Sequence, residues 1–314
     1  MKVSIIIPVY NRAETVKRTL ETVLRQKYRP LELILVDNAS TDDTLVVLNQ
    51  FKIDHGGDDI EIKVLQEPVK GACAARNKGF ENATGDWVMF FDSDDEMAPN
   101  LVRNYVDEIG RNSGALDLVL AKGTLVNPDG EKQKLPFFTS DLFANHILHS
   151  VIATQRFAVR RDFFAKTDGW NLNLPAWNDW EMGFRLLLAR PRVAFLKGKP
   201  QVVVNHSGAD SITGTGFSSR HGYWEKVITL LQDQVRCSDL KEKQRYMRLL
   251  EYRRVVLAAQ YFLEGNYGFA QGLYSETYSR NKKSWRMRLL LPRLYKRICK
   301  WKRGSARIAR VLIK

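Results

Sequence analysis

Three carboxylates follow an apolar run in Phe90-Phe91-Asp92-Ser93-Asp94-Asp95. Like charges crowded together repel one another, and a hard divalent cation relieves that repulsion. Mg²⁺ and Mn²⁺ are usually held by one or two carboxylates together with substrate phosphates. A solvated acidic turn ahead of a helix is the ordinary alternative for so short a motif. Its place after a fourth predicted strand favours the metal site, because ligands of parallel sheets gather where the strands end.

Two other groups in the first third of the chain suit a nucleotide. Asp37 ends the apolar run Leu33–Val36, where its carboxylate can accept a hydrogen bond from a base or a ribose. Small residues in Gly71–Asn77 allow close approach at a helix start, and Arg76 can reach a diphosphate as a planar donor. Each has an ordinary alternative: Asp37 can simply start a turn, and a lone arginine on a helix is more often solvated.

Two acids lie between bulky aromatic residues in Trp177-Asn178-Asp179-Trp180-Glu181. Aromatic neighbours can raise the pKa of a carboxyl group and can stack on sugar faces. Such a carboxylate suits a general base that takes a proton from a sugar hydroxyl. A helix N-terminus, where the helix dipole favours acids, explains the same spacing equally well.

His206 follows a predicted strand and precedes Gly208–Ser219, a loop rich in Gly, Ser and Thr. It can serve as a metal or phosphate ligand, although a lone histidine is more often structural. The other four histidines lack convincing metal-site spacing, so His206 is the one histidine to consider.

Alternating strand and helix patterns must position these residues. Apolar runs predict strands at Lys2–Val9, Leu31–Asp37, Ile60–Gln66 and Asp86–Asp92. Helical spacing predicts helices between them, at Ala13–Gln26, Thr44–Phe51 and Ala72–Ala83. This order predicts an α/β fold with a mostly parallel sheet that helices cover on both faces.

The alternation loosens after Pro99. The patterns predict helices at Leu101–Gly110 and Asn178–Ala189 and strands at Leu116–Val126, Arg192–Leu196 and Gln201–Asn205. From Tyr223 to about Tyr261 the pattern is helical. A helical C-terminal region therefore follows the α/β part of the chain.

These segments together resemble the family 2 glycosyltransferases with the GT-A fold. The motifs that carry the resemblance are Ser4–Asn11, Val36–Asp42, Gly71–Gly79 and Gly85–Asp95, in that order. Beyond these motifs the resemblance is weaker and is limited to Gly169-Trp170, Asn178–Trp180 and the His206 loop. It implies a Rossmann-like, mostly parallel sheet with flanking helices and a helical C-terminal extension. It also implies an inverting transfer from a nucleotide-sugar donor to an acceptor hydroxyl.

The resemblance also implies roles for particular residues. Pro8, Val9 and Tyr10 would line the nucleobase pocket, with Asp37 reading the base. The other implied ligands of the donor and its metal are Arg76 near the diphosphate or sugar, Asp92 at the ribose with Ser93 beside it, and Asp94 and His206 on Mn²⁺ or Mg²⁺. Asp179 would be the catalytic base. The position of Asp37 favours UDP as the nucleotide.

Two positions depart from the family pattern. Asn38 stands where a second acid is common, which weakens any conclusion about the nucleobase. Asn178 stands where a glutamate often precedes the base, which leaves open whether Glu181 shares the role of Asp179. A catalytically inactive glycan-binding or lipid-binding relative is one rival function. A sugar nucleotidyltransferase is another, although Pro8–Asn11 lacks the Gly-rich activating loop that such an enzyme needs.

The formal charge of +14 is concentrated at the C-terminus. Between Asn281 and Lys314 there are 13 basic residues and no acids, so the rest of the chain is nearly neutral. A general nucleic-acid binder more often spreads its charge over a face of the fold, which argues against a nucleic-acid partner. The organisation we expect is a catalytic domain at residues 1–220 (halves 1–100 for the nucleotide and 101–220 for the acceptor), a helical region at 221–280 and a basic tail at 281–314.

The tail predicts an amphipathic helix. Leu290, Leu294, Ile298 and Trp301 recur at helical intervals among the basic residues. Such a helix can lie in the plane of an anionic membrane, or it can pack its stripe on the catalytic domain and leave a solvated basic face. We favour the membrane, where the enzyme would reach a lipid-linked acceptor.

The compartment that the sequence indicates is the cytosol. Three cysteines form no CxxC pair and no disulfide framework, which is typical of a reducing environment. The apolar N-terminal run is broken early by Pro8 and Asn11, and no cleavage site follows it, so a signal peptide is not expected. No stretch approaches the roughly 18 apolar residues of a spanning helix. We therefore expect a protein on the cytoplasmic face of the membrane.

Overall fold

The computed structural model describes residues 1–112, 115–174, 176–205, 216–301, 306 and 309. The strands are β1 Val3–Val9, β2 Leu31–Asp37, β3 Ile60–Gln66, β4 Trp87–Phe90, β5 Glu96–Met97, β6 Leu118–Leu120, β7 Gly123–Val126, β8 Lys132–Lys134, β9 Phe157–Arg160, β10 Val193–Phe195 and β11 Val202–Asn205. The helices are α1 Val16–Leu24, α2 Thr44–His55, α3 Ala72–Glu81, α4 Leu101–Arg111, α5 Leu142–His149, α6 Arg161–Phe164, α7 Asn178–Leu188, α8 Tyr223–Cys237, α9 Lys243–Leu263, α10 Tyr267–Arg280 and α11 Trp285–Trp301.

The chain divides into two compact units. The first comprises Met1–Thr139, Ile152–Asn173 and Arg185–Asp210, and the second comprises Ser140–Val151, Leu174–Phe184 and Ser211–Lys314. Both units are therefore built from segments that are distant in sequence. The expected boundaries at residues 220 and 280 stay predictions.

A seven-stranded sheet forms the centre of the first unit, in the order β10-β6-β9-β4-β1-β2-β3. The four strands β4, β1, β2 and β3 are parallel, and β9 runs antiparallel to its neighbours β4 and β6. Every residue of β1 and β2 is buried, as expected for central strands of a sheet that is covered on both faces. The predicted α/β fold with a mostly parallel sheet is confirmed.

A four-stranded sheet of order β5-β11-β7-β8 accompanies the large one. It corrects the single strand predicted at Leu116–Val126, because β6 belongs to the large sheet and β7 to the small one. The chain passes from the large sheet to the small one at Ala121 and Lys122, whose backbones bond to different segments. The amide of Ala121 donates to the carbonyl of Arg156, whereas the carbonyl of Lys122 accepts from Gln201.

A buried carboxylate joins the amino ends of the central strands. Glu32 has no exposed surface and accepts hydrogen bonds from Ser4 Oγ at 2.5 Å, Lys63 Nζ at 2.7 Å and the amide of Thr84 at 2.8 Å. Burial alone would raise the pKa of Glu32, but the hydrogen bonds from Lys63, Ser4 and Thr84 outweigh it and hold the pKa at about 2. Gly85 closes the cluster, because its amide donates to the same Ser4 hydroxyl at 2.9 Å.

The second unit contains the C-terminal helices, and α11 packs against α9. The side chains of Leu290, Leu294 and Ile298 are 9%, 2% and 4% exposed, so the apolar stripe of the tail is covered. This corrects the preferred interpretation of the stripe as a lipid-facing surface, since burial against protein already satisfies its apolar side chains. The side chain of Trp301 lies outside the described residues. Within the described part of the chain, no helix is both long enough and apolar enough to cross a bilayer.

Candidate active site

The parallel strands bring the predicted donor-binding residues of the first unit to one edge of the large sheet. Val9 pairs with Asp37 at the carboxyl ends of β1 and β2, and the amide of Asn38 donates to the Val9 carbonyl at 2.8 Å. On the other side of β1, the amide of Phe91 donates to the Ile6 carbonyl at 2.9 Å. Tyr10, Asp37 and the acidic segment therefore leave the sheet on the same edge.

Asp37 offers an unused acceptor at this edge. Its side chain is 3% exposed, and among the described residues nothing donates a hydrogen bond to its Oδ1. An unsatisfied buried acceptor is unfavourable by roughly 1–3 kcal/mol, so such an atom indicates a missing donor. Pro8 and Val9 are buried beside it, whereas Tyr10 is 46% exposed, with the Lys70 Nζ 5.7 Å from the centre of its ring. This set fits a nucleobase or a ribose.

Asn38 has a structural task at the position where a second acid was expected. Its amide nitrogen donates to the carbonyls of Glu67 and Val69, and its oxygen accepts from the amide of Gly71 at 2.7 Å. It therefore holds the loop between β3 and α3 against the end of β2. Gly71, which begins that helix, has a φ of 128°, a conformation that side chains rarely adopt.

Arg76 connects the helix α3 to the acidic segment. Its guanidinium donates to Asp92 Oδ1 at 2.6 Å and lies 4.5 Å from the centre of the Trp170 ring. Trp170 is fixed in turn by Asn77, which accepts from its amide at 2.7 Å and donates to its carbonyl at 2.9 Å. The arginine is only 7% exposed, so the ordinary interpretation of a solvated arginine is wrong.

Gln155 and Asn205 order the acidic segment, and neither was predicted as a site residue. The amide nitrogen of Gln155 donates to Asp92 Oδ2 and to Asp95 Oδ2, both at 2.5 Å. The backbone amide of Asn205 donates to Asp95 Oδ1 at 2.8 Å, and its side chain donates to the Asp94 carbonyl at 2.9 Å. Asp95 is 1% exposed, and burial, followed by the charges of Asp92 and Asp94, raises its pKa to about 8. Asp95 is thus a structural acid that faces inward.

Asp94 is the carboxylate left for a ligand. Its nearest cation is Arg12, at 3.6 Å from its Oδ2, and burial, followed by the charge of Asp92, raises its pKa. Among the described residues no three Asp, Glu, His or Cys side chains form a metal-binding group. The donor set therefore fits a divalent ion that is held by one carboxylate and completed by phosphate oxygens. His206, the other predicted ligand, lies outside the described residues.

Asp179 lies in the second unit, in the first turn of α7. Its side chain is half-buried, and its Oδ1 accepts from the amide of Trp180 at 2.8 Å. Glu181 is 1% exposed and accepts from the side chain of Gln234 at 3.2 Å. Of these two acids, Asp179 is the more exposed. The predicted Ser93 is buried in the first unit with the acidic segment.

Comparison with known proteins identifies the family to which this arrangement belongs. Residues 4–167, just over half of the chain, match the model of Glycosyl transferase family 2. The chain belongs to this family. The match covers the predicted donor-binding residues from Pro8 to Asp94 and also Gln155, but it ends before Asp179, Asn205 and His206. The second unit of this family 2 glycosyltransferase therefore lies largely outside the shared region.

The relatives that this family 2 glycosyltransferase matches in sequence cover only part of it. It is 38% identical over 104 residues to UDP-Glc:alpha-D-GlcNAc-diphosphoundecaprenol beta-1,3-glucosyltransferase WfaP of Escherichia coli, which is 33% of this chain and 39% of the relative. It is 33% identical over 100 residues to the uncharacterized glycosyltransferase YibD of Escherichia coli K12, 32% of this chain and 28% of the relative. The chain thus spans well under half the length of both.

The fold is similar to those of solved structures that contain nucleotide sugars. The structure of S. aureus TarS 1–349 in complex with UDP-GlcNAc aligns with all of this chain and 89% of its own, with a TM-score of 0.67 and 18% identity. The mannosyltransferase PcManGT from Pyrobaculum calidifontis, in complex with GDP-Man and Mn²⁺, aligns with 99% of this chain and 84% of its own, with a TM-score of 0.54 and 19% identity. At these identities the likeness concerns the fold alone.

Proposed function

We propose that this family 2 glycosyltransferase moves a sugar from a nucleotide-diphosphate donor, with UDP favoured, to a hydroxyl of a glycan or lipid-linked acceptor. Cell-surface polysaccharide synthesis is the process that such an acceptor serves. The observation that carries the proposal is the meeting of an unsatisfied buried acceptor on Asp37 with the Asp92–Asp95 segment at one sheet edge. The name of WfaP, which specifies a UDP-sugar and a diphosphoundecaprenol acceptor, supports this choice.

The donor is held by residues of the first unit. Asp37 accepts a hydrogen bond from the base or ribose, while Tyr10 covers the ring and Pro8 and Val9 form the floor. Arg76 neutralises part of the diphosphate or contacts the sugar. Its hydrogen bond to Asp92 holds the guanidinium in position for that contact. Asp92 and Ser93 complete the ribose side.

Asp94, with His206, would hold Mn²⁺ or Mg²⁺ on the diphosphate. The bound ion supplies Lewis-acid stabilisation of the leaving nucleotide diphosphate. Gln155 and Asn205 keep the acidic segment in one conformation, because Gln155 bonds to Asp92 and Asp95, and Asn205 bonds to Asp95 and to the Asp94 carbonyl. The carboxylate thus meets its ligand without a prior rearrangement, which is the benefit of preorganisation.

Asp179 takes the proton from the acceptor hydroxyl. The oxygen then attacks the sugar carbon from the face opposite the leaving group, the new glycosidic bond forms as the bond to the diphosphate breaks, and the configuration inverts. A base within hydrogen-bond reach of the attacking hydroxyl typically contributes 10²–10⁴-fold. An α-linked donor therefore gives a β-linked product.

The first test measures the release of nucleotide diphosphate from UDP-, GDP- and dTDP-sugars in the presence of Mn²⁺, without an acceptor. We expect slow release from one donor, which stops when Asp94→Ala removes the carboxylate or when a chelator removes the ion. Asp107→Ala, an exposed acid on α4, is the matched control and keeps the activity. Neither release nor calorimetric binding for any donor would overturn the proposal and favour a non-catalytic relative.

We further propose that the enzyme associates with an anionic membrane through its C-terminal helices. With its stripe covered, α11 presents an exposed face of basic residues together with Trp285 and Leu289, which are 66% and 52% exposed. Arg286 of α11 also lines a pocket of about 550 Å³. Five basic side chains and one carboxylate line this pocket: Lys241, Lys243, Arg245, Arg248, Arg286 and Glu242. Each basic residue near an anionic bilayer contributes roughly 1 kcal/mol.

Vesicle sedimentation tests the membrane proposal. The full chain should sediment with phosphatidylcholine vesicles that contain phosphatidylglycerol and not with phosphatidylcholine alone. Reversal of two charges on α11, Arg293→Glu with Lys296→Glu, should weaken that binding. The matched control reverses two exposed charges of the first unit, Lys17→Glu with Lys52→Glu. Equal loss in both double variants would contradict docking through α11.

A further inference from the structure

Trp177, two residues before Asp179, has a backbone conformation that needs support. Its φ is 53°, in the left-handed region that bulky residues rarely occupy, and such a residue is strained by roughly 1–3 kcal/mol. The strain persists only where the surroundings fix the conformation. In this protein the surroundings are aromatic: the Trp177 ring lies 5.2 Å from that of Trp180, 4.8 Å from that of Trp224 and 6.4 Å from that of Phe217, measured between ring centres.

Trp180, on the other side of Asp179, is locked by a pair of hydrogen bonds. Its indole nitrogen donates to the carbonyl of His146 at 3.0 Å, and its own carbonyl lies 2.8 Å from Nε2 of His146. Because a carbonyl only accepts, Nε2 carries the proton. Both residues are fully buried, and burial lowers the pKa of His146 to about 4, so the imidazole is neutral. The bond pair ties α5 to the first turn of α7.

Arg253 of α9 spans both tryptophans. The centre of its guanidinium lies 5.3 Å from the Trp177 ring and 4.9 Å from the Trp180 ring. Among the described residues its Nε has no hydrogen-bond partner, and its Nη1 donates only a long bond of 3.5 Å to the Leu148 carbonyl. The aromatic faces are thus its main contacts, and cation–π attraction strengthens when the cation is desolvated.

A half-buried arginine whose Nε is withdrawn from solvent without a hydrogen bond is an unfavourable way to fill space, since apolar side chains of similar volume often stabilise a core as well or better. Its position over the two residues that flank Asp179 therefore suggests a use beyond packing. We propose that Arg253 is a positioning residue: it holds Trp177 and Trp180 together and so fixes the turn that presents Asp179 to the acceptor. The inference rests on the proposed function, in which Asp179 is the base.

The chain offers a matched control in the next residue. Arg254 is 3% exposed on the same helix, but it bonds to Thr229 and Glu276 instead of the tryptophans. We expect Arg253→Gln to lower kcat for transfer by about 10²-fold, the loss that a small displacement of a catalytic group causes, with KM for the donor unchanged. Arg253→Lys, which retains a cation, should recover part of the rate. Arg254→Gln should keep kcat.

A second measurement does not depend on activity. The amide of Glu181 donates to the Trp177 carbonyl at 3.0 Å and that of Trp180 donates to Asp179, so both amides report on this turn. Hydrogen exchange at these two amides should accelerate in Arg253→Gln and stay unchanged in Arg254→Gln. Unchanged exchange in Arg253→Gln, or equal losses of kcat in the two variants, would overturn the inference. An inactive wild type would reject the proposed function, while the exchange measurement would still decide whether Arg253 fixes the turn.

Discussion

Asp37 Oδ1, which has no hydrogen-bond partner among the described residues, is the atom from which we infer donor recognition. A buried acceptor without a protein donor gains a hydrogen bond when a ligand donates to it, and no bond within the protein has to break. Tyr10, at the end of the neighbouring strand, leaves its ring exposed for the same ligand. Together they favour a flat heterocycle with an N–H group.

Asp37→Asn should therefore weaken UDP binding in the presence of Mn²⁺. Hydrogen bonds to charged groups typically contribute about 1.5–3 kcal/mol, and titration calorimetry measures such a change directly. Asp129→Asn, in an exposed turn, is the control. An unchanged Kd for UDP in Asp37→Asn would mean that the nucleobase binds elsewhere.

Sequence reasoning predicted candidate site residues that belong to short motifs and missed residues that belong to contacts between distant segments. Asp37 and Asp94 could be predicted because each lies at or just after the end of a strand. Arg76 could be predicted because it lies near the start of a helix. Gln155 lies 60 residues from Asp95, its partner, and the pairing follows from the topology of β9 and not from any local pattern. Arg253 is likewise hidden, since a basic residue on a helix looks solvated until the fold places tryptophans against it.

At the scale of elements, regular periodicity decided which predictions succeeded. β2 Leu31–Asp37 and β3 Ile60–Gln66 match the predicted bounds, because apolar residues recur at every second position in both strands and polar residues end them. The helical pattern predicted from Tyr223 to Tyr261 is two helices, α8 and α9, because the amide of Ser238 still bonds to Gln234 while its ψ of 169° leaves the helical range. Short elements such as α5 and β9 carry too few residues for a period to show.

The buried Glu32 makes the stability of the central strands depend on pH. Its pKa is about 2 in the fold and 4.5 ordinarily, so its stabilisation is complete above the ordinary pKa and is lost as pH falls toward the folded value. Glu32→Gln should lower the free energy of unfolding at neutral pH by about 1–3 kcal/mol. The difference from wild type should shrink in urea titrations carried down to about pH 3. The exposed control Glu14→Gln should match wild type at every pH. If the difference in free energy of unfolding between Glu32→Gln and wild type does not change with pH, Glu32 is not the source of the pH dependence.

The covered stripe of α11 predicts an asymmetry between two leucines of the same helix. Leu294→Asp buries a charge against α9 and should lower the melting temperature strongly, as other unpaired buried charges do. Leu289→Asp, at a position that is 52% exposed, should leave it nearly unchanged. Differential scanning calorimetry compares them. Equal melting temperatures would mean that the stripe is not packed in solution.

At the scale of the whole molecule, the net positive charge lies in the C-terminal tail, which has no acids, while the α/β part of the chain is nearly neutral. If this tail attracts the protein to an anionic membrane, the binding should weaken as salt rises. Screening shortens the Debye length from about 10 Å at 0.1 M salt to about 3 Å at 1 M. The full chain should therefore leave phosphatidylglycerol vesicles as salt rises through that range. Retention at high salt would indicate that apolar insertion, and not charge, holds the protein there.

The close approach at Gly85 limits how this fold can vary. A Cβ built there would lie 2.5 Å from the Ser4 hydroxyl and 2.7 Å from the Ser4 backbone nitrogen. Loss of the hydroxyl through Ser4→Ala would remove the first clash but not the second, because the second involves the main chain. No compensating substitution on β1 can then accommodate a side chain at position 85. In a mutational library, position 85 should behave as an invariant, and the reason would be the spacing of two backbones and not the chemistry of sugar transfer.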